Sequence, residues 1–222
     1  MTLRDHGYDL DIRRLDEGAG VPEDYDNVEG VIILGGQQNT NESHPWLAPE
    51  REFIKGAHER GMPVVGICLG AELIAEALGG TVSKMAQPEV GLCEVDILPS
   101  GHADTMLAGV AWKAKHFQWH SYEVSELPPG ATLLASSDVC KNQVFSIGLR
   151  TYGFQYHFEA DRAMIEGWVE KYRGELHTSG VTSEEFAKLL DAHYEMFARL
   201  ADRVCLNIVT CLLPQAARMA SR

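Results

Sequence analysis

The 222-residue sequence lacks a hydrophobic segment of the length that crosses a membrane. Its longest apolar stretch, residues 204–214, is interrupted by Asn207 and falls far short of the ~20 residues that span a bilayer. The first residues are charged and contain no apolar core of the kind found in signal peptides. We therefore expect a protein that is not bound to a membrane and that resides in the cytoplasm.

A surplus of positive charge is absent too. Lysine and arginine number 19 against 32 aspartate and glutamate residues, which gives a formal net charge of −13. Such a surface repels phosphate backbones, so we expect no nucleic-acid partner. The five cysteines are scattered and form no CxxC pair, which argues against a zinc ribbon and against a disulfide framework. We expect neither a bound metal nor a cofactor.

The composition and the order of the apolar segments indicate a globular α/β protein. Hydrophobic residues make up 45% of the chain and charged residues 23%, a balance that excludes global disorder. Apolar runs at Val28–Leu34 and Pro63–Ile67 are typical of parallel strands covered on both faces, and a helical stretch follows each, at Pro49–Arg60 and at 69–78. This alternation predicts a parallel sheet. Tyr8–Leu15 is predicted as a further strand.

The middle of the chain has a different pattern, in which short strands are separated by turn residues. These strands are predicted as antiparallel additions to the sheet, followed by a last core strand: Thr81–Leu98, Lys115–Val124, Ala131–Ser136, Gln143–Ile147 and Tyr152–Phe158. After Glu159 the pattern is helical, over 161–172 and again over 183–203. Thr182 and Glu185 have the spacing of a capping box at the start of the second helix.

The segment around Cys68 has the pattern of a nucleophile elbow. Gly66 precedes the cysteine by two residues and Gly70 follows it by two, between a predicted strand and a predicted helix. A sharp turn of this kind crowds the flanking positions, and glycine relieves the crowding. The helix N-terminus beside the sulfur favours the thiolate over the thiol. A buried structural cysteine in a tight turn would show the same local pattern.

Two further features supply the partners that a nucleophilic cysteine needs. His157 and Glu159 end an apolar strand, whose period of two places them on the same side, so His157 can accept the thiol proton and Glu159 can orient the ring. Gly35 and Gly36 follow another strand, where backbone N–H groups can approach a ligand as an oxyanion hole requires. Each feature alone also suits an ordinary strand end or turn. Together they lie at the carboxyl ends of strands, where parallel sheets bind ligands.

These motifs, GICLG, YHFE and VIILGG, resemble those of the class I (triad) glutamine amidotransferases. The resemblance extends from about Tyr8 to about Tyr172, and within the family it is strongest to stand-alone proteins similar to the glutamine amidotransferase domain of GMP synthase. It implies a flavodoxin-like three-layer α/β sandwich around a mostly parallel central sheet. It also implies an amidotransferase domain at residues 1–175 and a C-terminal helical extension at 176–222.

The resemblance further implies roles for individual residues. It implies Cys68 as the nucleophile, His157 as the base and Glu159 as the third member of a triad. It implies the backbone N–H groups of Gly36 and Leu69 as the oxyanion hole, and substrate contacts for Gly35, Glu72, His120 and Gln143. The implied chemistry is hydrolysis of the glutamine side-chain amide to glutamate and ammonia through a thioester.

Three functions remain open on this basis. The first is a glutamine hydrolase of the amidotransferase type that supplies ammonia to a separate synthetase or acceptor subunit, since the sequence contains no phosphate-binding P-loop of its own. The second is a γ-glutamyl hydrolase that uses the same triad on γ-glutamyl amides or peptides. The third is a non-catalytic regulatory or interaction subunit.

Two features depart from the family pattern. Glu72 stands where the family has glutamine, one helical turn from Cys68, and two unit charges at roughly 6 Å interact by roughly 3 kcal/mol at an effective dielectric near 20. An ionised Glu72 would therefore oppose thiolate formation. The chain also opens within what is the first helix of the family, so we expect the first, central strand to be missing and the sheet to lose an interior strand.

Overall fold

The computed structural model describes residues 3–213, which contain one seven-stranded sheet. The strands are β1 (Val31–Ile33), β2 (Val64–Ile67), β3 (Thr81–Ile97), β4 (Lys113–Glu126), β5 (Ala131–Ser136), β6 (Val144–Ile147) and β7 (Thr151–Phe154). The helices are α1 (Leu47–Glu59), α2 (Leu69–Ala77), α3 (Pro99–His102), α4 (Arg162–Lys171), α5 (Arg173–Thr178) and α6 (Ser183–Asn207). In space the strands are ordered β1-β2-β7-β6-β5-β3-β4.

The first half of the sheet is the parallel part that the sequence predicts. β2 pairs in parallel with β1 on one side and with β7 on the other, and every residue of β2 and β7 is buried. Two-sided burial explains why these strands are nearly continuous apolar runs. The α/β class is confirmed, although parallel pairing is confined to three strands, fewer than the sequence indicates, and the sheet is mixed.

The second half of the sheet is antiparallel and is dominated by a long hairpin. The predicted strands at 81–98 and 115–124 become β3 and β4, which pair from Thr81 opposite Glu126 to Asp96 opposite Lys113. The register shifts between Lys84 and Glu89, so Pro88 lies in an irregular part of the ladder, where a residue without an N–H is tolerated. This hairpin carries two of the candidate substrate-site side chains discussed below.

The N-terminal segment differs from the sequence prediction. The strand predicted at Tyr8–Leu15 is wrong: residues 8–14 adopt no regular structure, and a 3₁₀ turn follows at Leu15–Glu17. The segment is largely exposed and joins no ladder, so its apolar residues have no sheet face to cover. Within the described residues no strand precedes β1, which is an edge strand paired only with β2.

The C-terminal helices pack on the sheet. The capping box at Thr182 and Glu185 is confirmed, and α6 buries Phe186, Leu190 and Phe197 in the same core cluster as residues of the β3–β4 hairpin. The division into a domain at 1–175 and an extension at 176–222 stays a prediction, and residues 214–222 of that extension lie outside the described part. Within residues 3–213 no helix has the length and apolar character that a membrane span requires.

One core residue gives the fold a dependence on pH. His116 of β4 is buried with its ring stacked on Tyr156, the two ring centroids being 4.1 Å apart. Among residues 3–213, neither ring nitrogen has a hydrogen-bond partner. Burial lowers the pKa of His116 to about 4, from an ordinary value of 6.5.

We expect the protein to lose stability as the pH falls from about 7 to about 4.5. The unfolded chain binds a proton at His116 in this range and the folded chain does not, so protonation favours unfolding by roughly 2 to 3 kcal/mol. His116→Phe should reduce the acid-induced loss by that amount in denaturant titrations at the two pH values. His177→Phe, at an exposed position of α5, should leave the loss unchanged. An equal loss in wild type and His116→Phe would contradict this account.

Candidate active site

Cys68 lies between β2 and α2 in a backbone conformation that is rare for a residue with a side chain. Its φ is 52° and its ψ is −112°. Its carbonyl accepts hydrogen bonds from the N–H groups of Ala71 and Glu72, which start α2. Its own N–H donates to the carbonyl of Phe154 at 2.7 Å, which ties the turn to the end of β7. The segment therefore has the strained strand–turn–helix geometry of a nucleophile elbow.

The two glycines beside Cys68 are required by close backbone contacts. A Cβ atom at Gly66 would lie 2.4 Å from the carbonyl oxygen of Gly70. A Cβ atom at Gly70 would lie 2.2 Å from the carbonyl oxygen of Ile33, in the neighbouring strand β1. Because backbone atoms cannot move aside as side chains do, these contacts explain both glycines of the GICLG motif.

His157 and Glu159 follow β7 and form a hydrogen-bonded pair. Nδ1 of His157 lies 2.7 Å from Oε1 of Glu159, and the ring is buried edge-on against Trp168. The strand ends at Phe154, so the two residues belong to a loop and not to the predicted strand end. The loop is held by the backbone N–H of His157, which donates to the carbonyl of Phe117 at 2.8 Å.

Gly35 is the point at which the cysteine and the histidine approach each other. A Cβ atom there would lie 2.7 Å from Cε1 of His157 and 3.4 Å from Cβ of Cys68. A Cβ atom at Gly36 would lie 2.9 Å from Cδ2 of Leu69, the first residue of α2. The structure therefore brings together the carboxyl ends of β1, β2 and β7, as the predicted parallel sheet requires.

The charge environment of Cys68 is unfavourable to a thiolate. Burial raises the pKa of the Cys68 thiol well above its ordinary value, and the carboxyl groups of Glu72 and Glu159 raise it further. Two hydrogen bonds act in the opposite direction, one from the backbone N–H of Leu69 and one from the side chain of Gln155. A positively charged partner such as an imidazolium would add to these two bonds.

Glu72 is itself buried, with only 3% of its surface exposed. Burial raises its pKa, while a hydrogen bond from Gln155 and the proximity of His120 lower it. Nε2 of Gln155 donates to Oε1 of Glu72 at 3.2 Å. Glu72 therefore has a hydrogen-bond partner that the sequence analysis did not identify.

His120 and Gln143 converge on a buried carboxylate that the sequence analysis missed. Nε2 of His120 lies 3.0 Å from Oε2 of Glu89, and Nε2 of Gln143 donates to the same oxygen at 2.6 Å. Ser137 donates to the other oxygen at 2.6 Å. No motif marks Glu89, because its partners lie 31 to 54 residues away in the sequence.

The same cluster holds the group of side chains best suited to a metal within residues 3–213. Glu89, His120 and Cys140 each offer one ligand atom, and these atoms lie within 4.8 Å of one another. Both oxygens of Glu89 and both ring nitrogens of His120 already have hydrogen-bond partners. We therefore interpret the cluster as a hydrogen-bonded network of the protein.

Comparison with known proteins identifies the family. The family model described as "Glutamine amidotransferase class-I" matches residues 1–164, about three quarters of the chain. The chain belongs to this family. The glutamine amidotransferase-like protein YfeJ of Salmonella typhimurium is 30% identical over 177 residues, which cover 78% of this chain and 74% of that protein. One of the subunits of the glutamine-hydrolysing GMP synthase of Thermoplasma acidophilum is 31% identical over 72% of this chain and 76% of its own.

Solved structures agree with this membership of the class I glutamine amidotransferases. The glutamine amidotransferase of Methylobacillus flagellatus superimposes with a TM-score of 0.87 and 25% identity, over 96% of this chain and 88% of its own. An amidotransferase of Thermotoga maritima gives a TM-score of 0.82 at 23% identity, over 93% and 89% of the two chains, and supports the fold alone.

Proposed function

We propose that this class I glutamine amidotransferase hydrolyses the side-chain amide of glutamine to glutamate and ammonia, with Cys68 as nucleophile, His157 as base and Glu159 as its orienting partner. The observation that carries the proposal is the approach of Cys68 and His157 around Gly35, where a single Cβ atom would contact both residues. A base within reach of a nucleophile and oriented by a third group is the arrangement that covalent hydrolysis requires.

The hydrogen bonds of His157 assign its two nitrogens. Nδ1 faces Glu159, which leaves Nε2 to take the proton of the Cys68 thiol. The thiolate then attacks the amide carbon of glutamine, and the negative oxygen that forms is stabilised by the N–H groups of Gly36 and Leu69. The C–N bond breaks as His157 returns the proton to the departing ammonia. Water, deprotonated by His157, hydrolyses the thioester to glutamate and restores the thiol.

The relatives suggest where the ammonia goes. Several of them are described as single subunits of a glutamine-hydrolysing GMP synthase. We propose by analogy that a separate synthetase or acceptor subunit uses the ammonia released here. None of the five cysteines is in a disulfide, which supports the proposed cytoplasmic location.

We expect the purified protein to release equal amounts of ammonia and glutamate from free glutamine. The test compares glutamine with a γ-glutamyl amide that carries a larger amine, because the γ-glutamyl hydrolase alternative predicts faster release of that amine. Glutamate dehydrogenase coupling and amino-acid analysis measure the two products. If neither substrate is turned over while Cys68 also resists a glutamine-like electrophile, the hydrolase proposal fails and the non-catalytic, regulatory alternative is favoured.

A further inference from the structure

Two acidic groups share the first turn of α2, and both are buried. Cys68 and Glu72 are one helical turn apart, with 6% and 3% of their surfaces exposed. The charged groups that face Cys68 are Glu72 and Glu159, and those that face Glu72 are His120, His157 and Glu76. Water is largely excluded from both groups, so their repulsion when ionised must be offset by protein groups.

Gln155 is the side chain that contacts both acids. It lies in the loop between β7 and His157 and is 1% exposed. Its Nε2 donates to Oε1 of Glu72 at 3.2 Å, and its side chain also hydrogen-bonds to Cys68. The backbone N–H of Gln155 donates to the carbonyl of Gln143 at 2.8 Å, which holds the residue in place.

The orientation of this amide is dictated by its partners. A carboxamide nitrogen carries two hydrogens, whereas a carboxylate and a thiolate only accept hydrogen bonds. The nitrogen can therefore serve both groups at once, and the oxygen can serve neither when they are ionised. Oε1 of Gln155 is buried and has no hydrogen-bond partner among residues 3–213. An orphaned acceptor has a free-energy cost, so the two donor contacts determine how the amide points.

We propose that Gln155 is a positioning residue whose amide bridges Glu72 and Cys68, so that the Cys68 thiolate can form beside a buried carboxylate. The inference rests on the proposed role of Cys68 as nucleophile. It accounts for the position where this chain departs from the family: a carboxylate at residue 72 is accommodated because one N–H of Gln155 bonds to it while the other stabilises the sulfur. Gln155 precedes His157 by two residues, so the loop that places the base also places the bridge.

The test measures the thiolate of Cys68 without any substrate. Alkylation of Cys68 by iodoacetamide is followed by peptide mass spectrometry between about pH 6 and pH 10, in wild type, Gln155→Met, Glu72→Gln and the double variant. We expect Gln155→Met to slow alkylation at about pH 8 at least tenfold, the effect of losing one charge-assisted hydrogen bond. In the Glu72→Gln background the same substitution should slow it by a clearly smaller factor, because no carboxylate remains to be offset.

Three results would overturn the bridge. The first is an unchanged alkylation rate in Gln155→Met, and the second is an equal slowing in both backgrounds, which would mean that Glu72 takes no part. The third is an equal slowing in Gln118→Met, which replaces another fully buried glutamine and controls for altered packing. If Gln155→Met does not fold, Gln155→Asn retains the amide on a shorter arm and should also slow alkylation. Because no glutamine is turned over, these results are independent of whether the protein hydrolyses it.

Discussion

Cys68→Ala is expected to remove glutamine-dependent ammonia release, by about 10⁴-fold or more, while the protein stays folded. The loss is large because a triad without its nucleophile retains only the contributions of substrate binding and the oxyanion hole. The change in unfolding free energy should stay within about 1 kcal/mol, since alanine keeps the Cβ atom and the backbone conformation and only one sulfur atom is lost. Ammonia release at saturating glutamine and thermal unfolding measure the two effects.

A second cysteine provides the matched control for this experiment. Cys205 of α6 is partly buried against the core cluster and lies outside the candidate site. Cys205→Ala should therefore leave the hydrolysis rate within about twofold of wild type, because it touches none of the proposed reacting groups. Substantial ammonia release by Cys68→Ala would exclude Cys68 as the nucleophile and with it the proposed triad.

Gly70→Ala is expected to reduce both stability and activity. Its Cβ atom would lie 2.2 Å from the carbonyl oxygen of Ile33 and 2.8 Å from the carbonyl carbon, so α2 would have to move away from β1. Overpacking of this kind costs about 2 kcal/mol or more, even after alanine's helix preference is counted. The movement also separates Cys68 from Gly35 and Gly36. We therefore expect kcat/KM to fall at least about 10²-fold.

Gly167→Ala tests whether these effects arise from steric contact. Gly167 is an exposed helical residue of α4, and a Cβ atom there would have no neighbour within 4 Å. The substitution should raise the unfolding free energy by about 0.5 to 1 kcal/mol and leave activity unchanged. Denaturant titration of the two alanine variants should give shifts of opposite sign. A Gly70→Ala variant as stable and as active as wild type would show that α2 and β1 are not held as close as described.

Much of the fold could be predicted because it depends on near neighbours in the sequence. The elbow at Cys68 follows from glycines two residues away on either side, and the capping box of α6 from Thr182 and Glu185. The antiparallel hairpin was also recognised, although β3 and β4 are not matched to the expected bounds at every end. The strand at Tyr8–Leu15 was wrong because apolar spacing alone does not supply a neighbouring strand to pair with.

The site was predicted less completely than the fold. Cys68 and the His157–Glu159 pair were found from their motifs, but the pair was assigned to a strand that ends at Phe154. The two residues meet because the loop backbone bonds to a neighbouring strand at Phe117, which a period of two cannot indicate. Glu89 and the contact between Gln155 and Glu72 were missed, since these partners come from distant parts of the chain.

By itself, the sequence determined the family, the α/β class and the residue types of the proposed triad, because motifs and apolar runs are local patterns. Only the tertiary structure decided the surroundings of Glu72, whose hydrogen-bond partner Gln155 lies 83 residues away. It also decided that burial raises the pKa of both Glu72 and Cys68. The physical reason is that ionisation in a protein depends on excluded water and on the dipoles that surround a group, and both are set by contacts between segments that the sequence holds far apart.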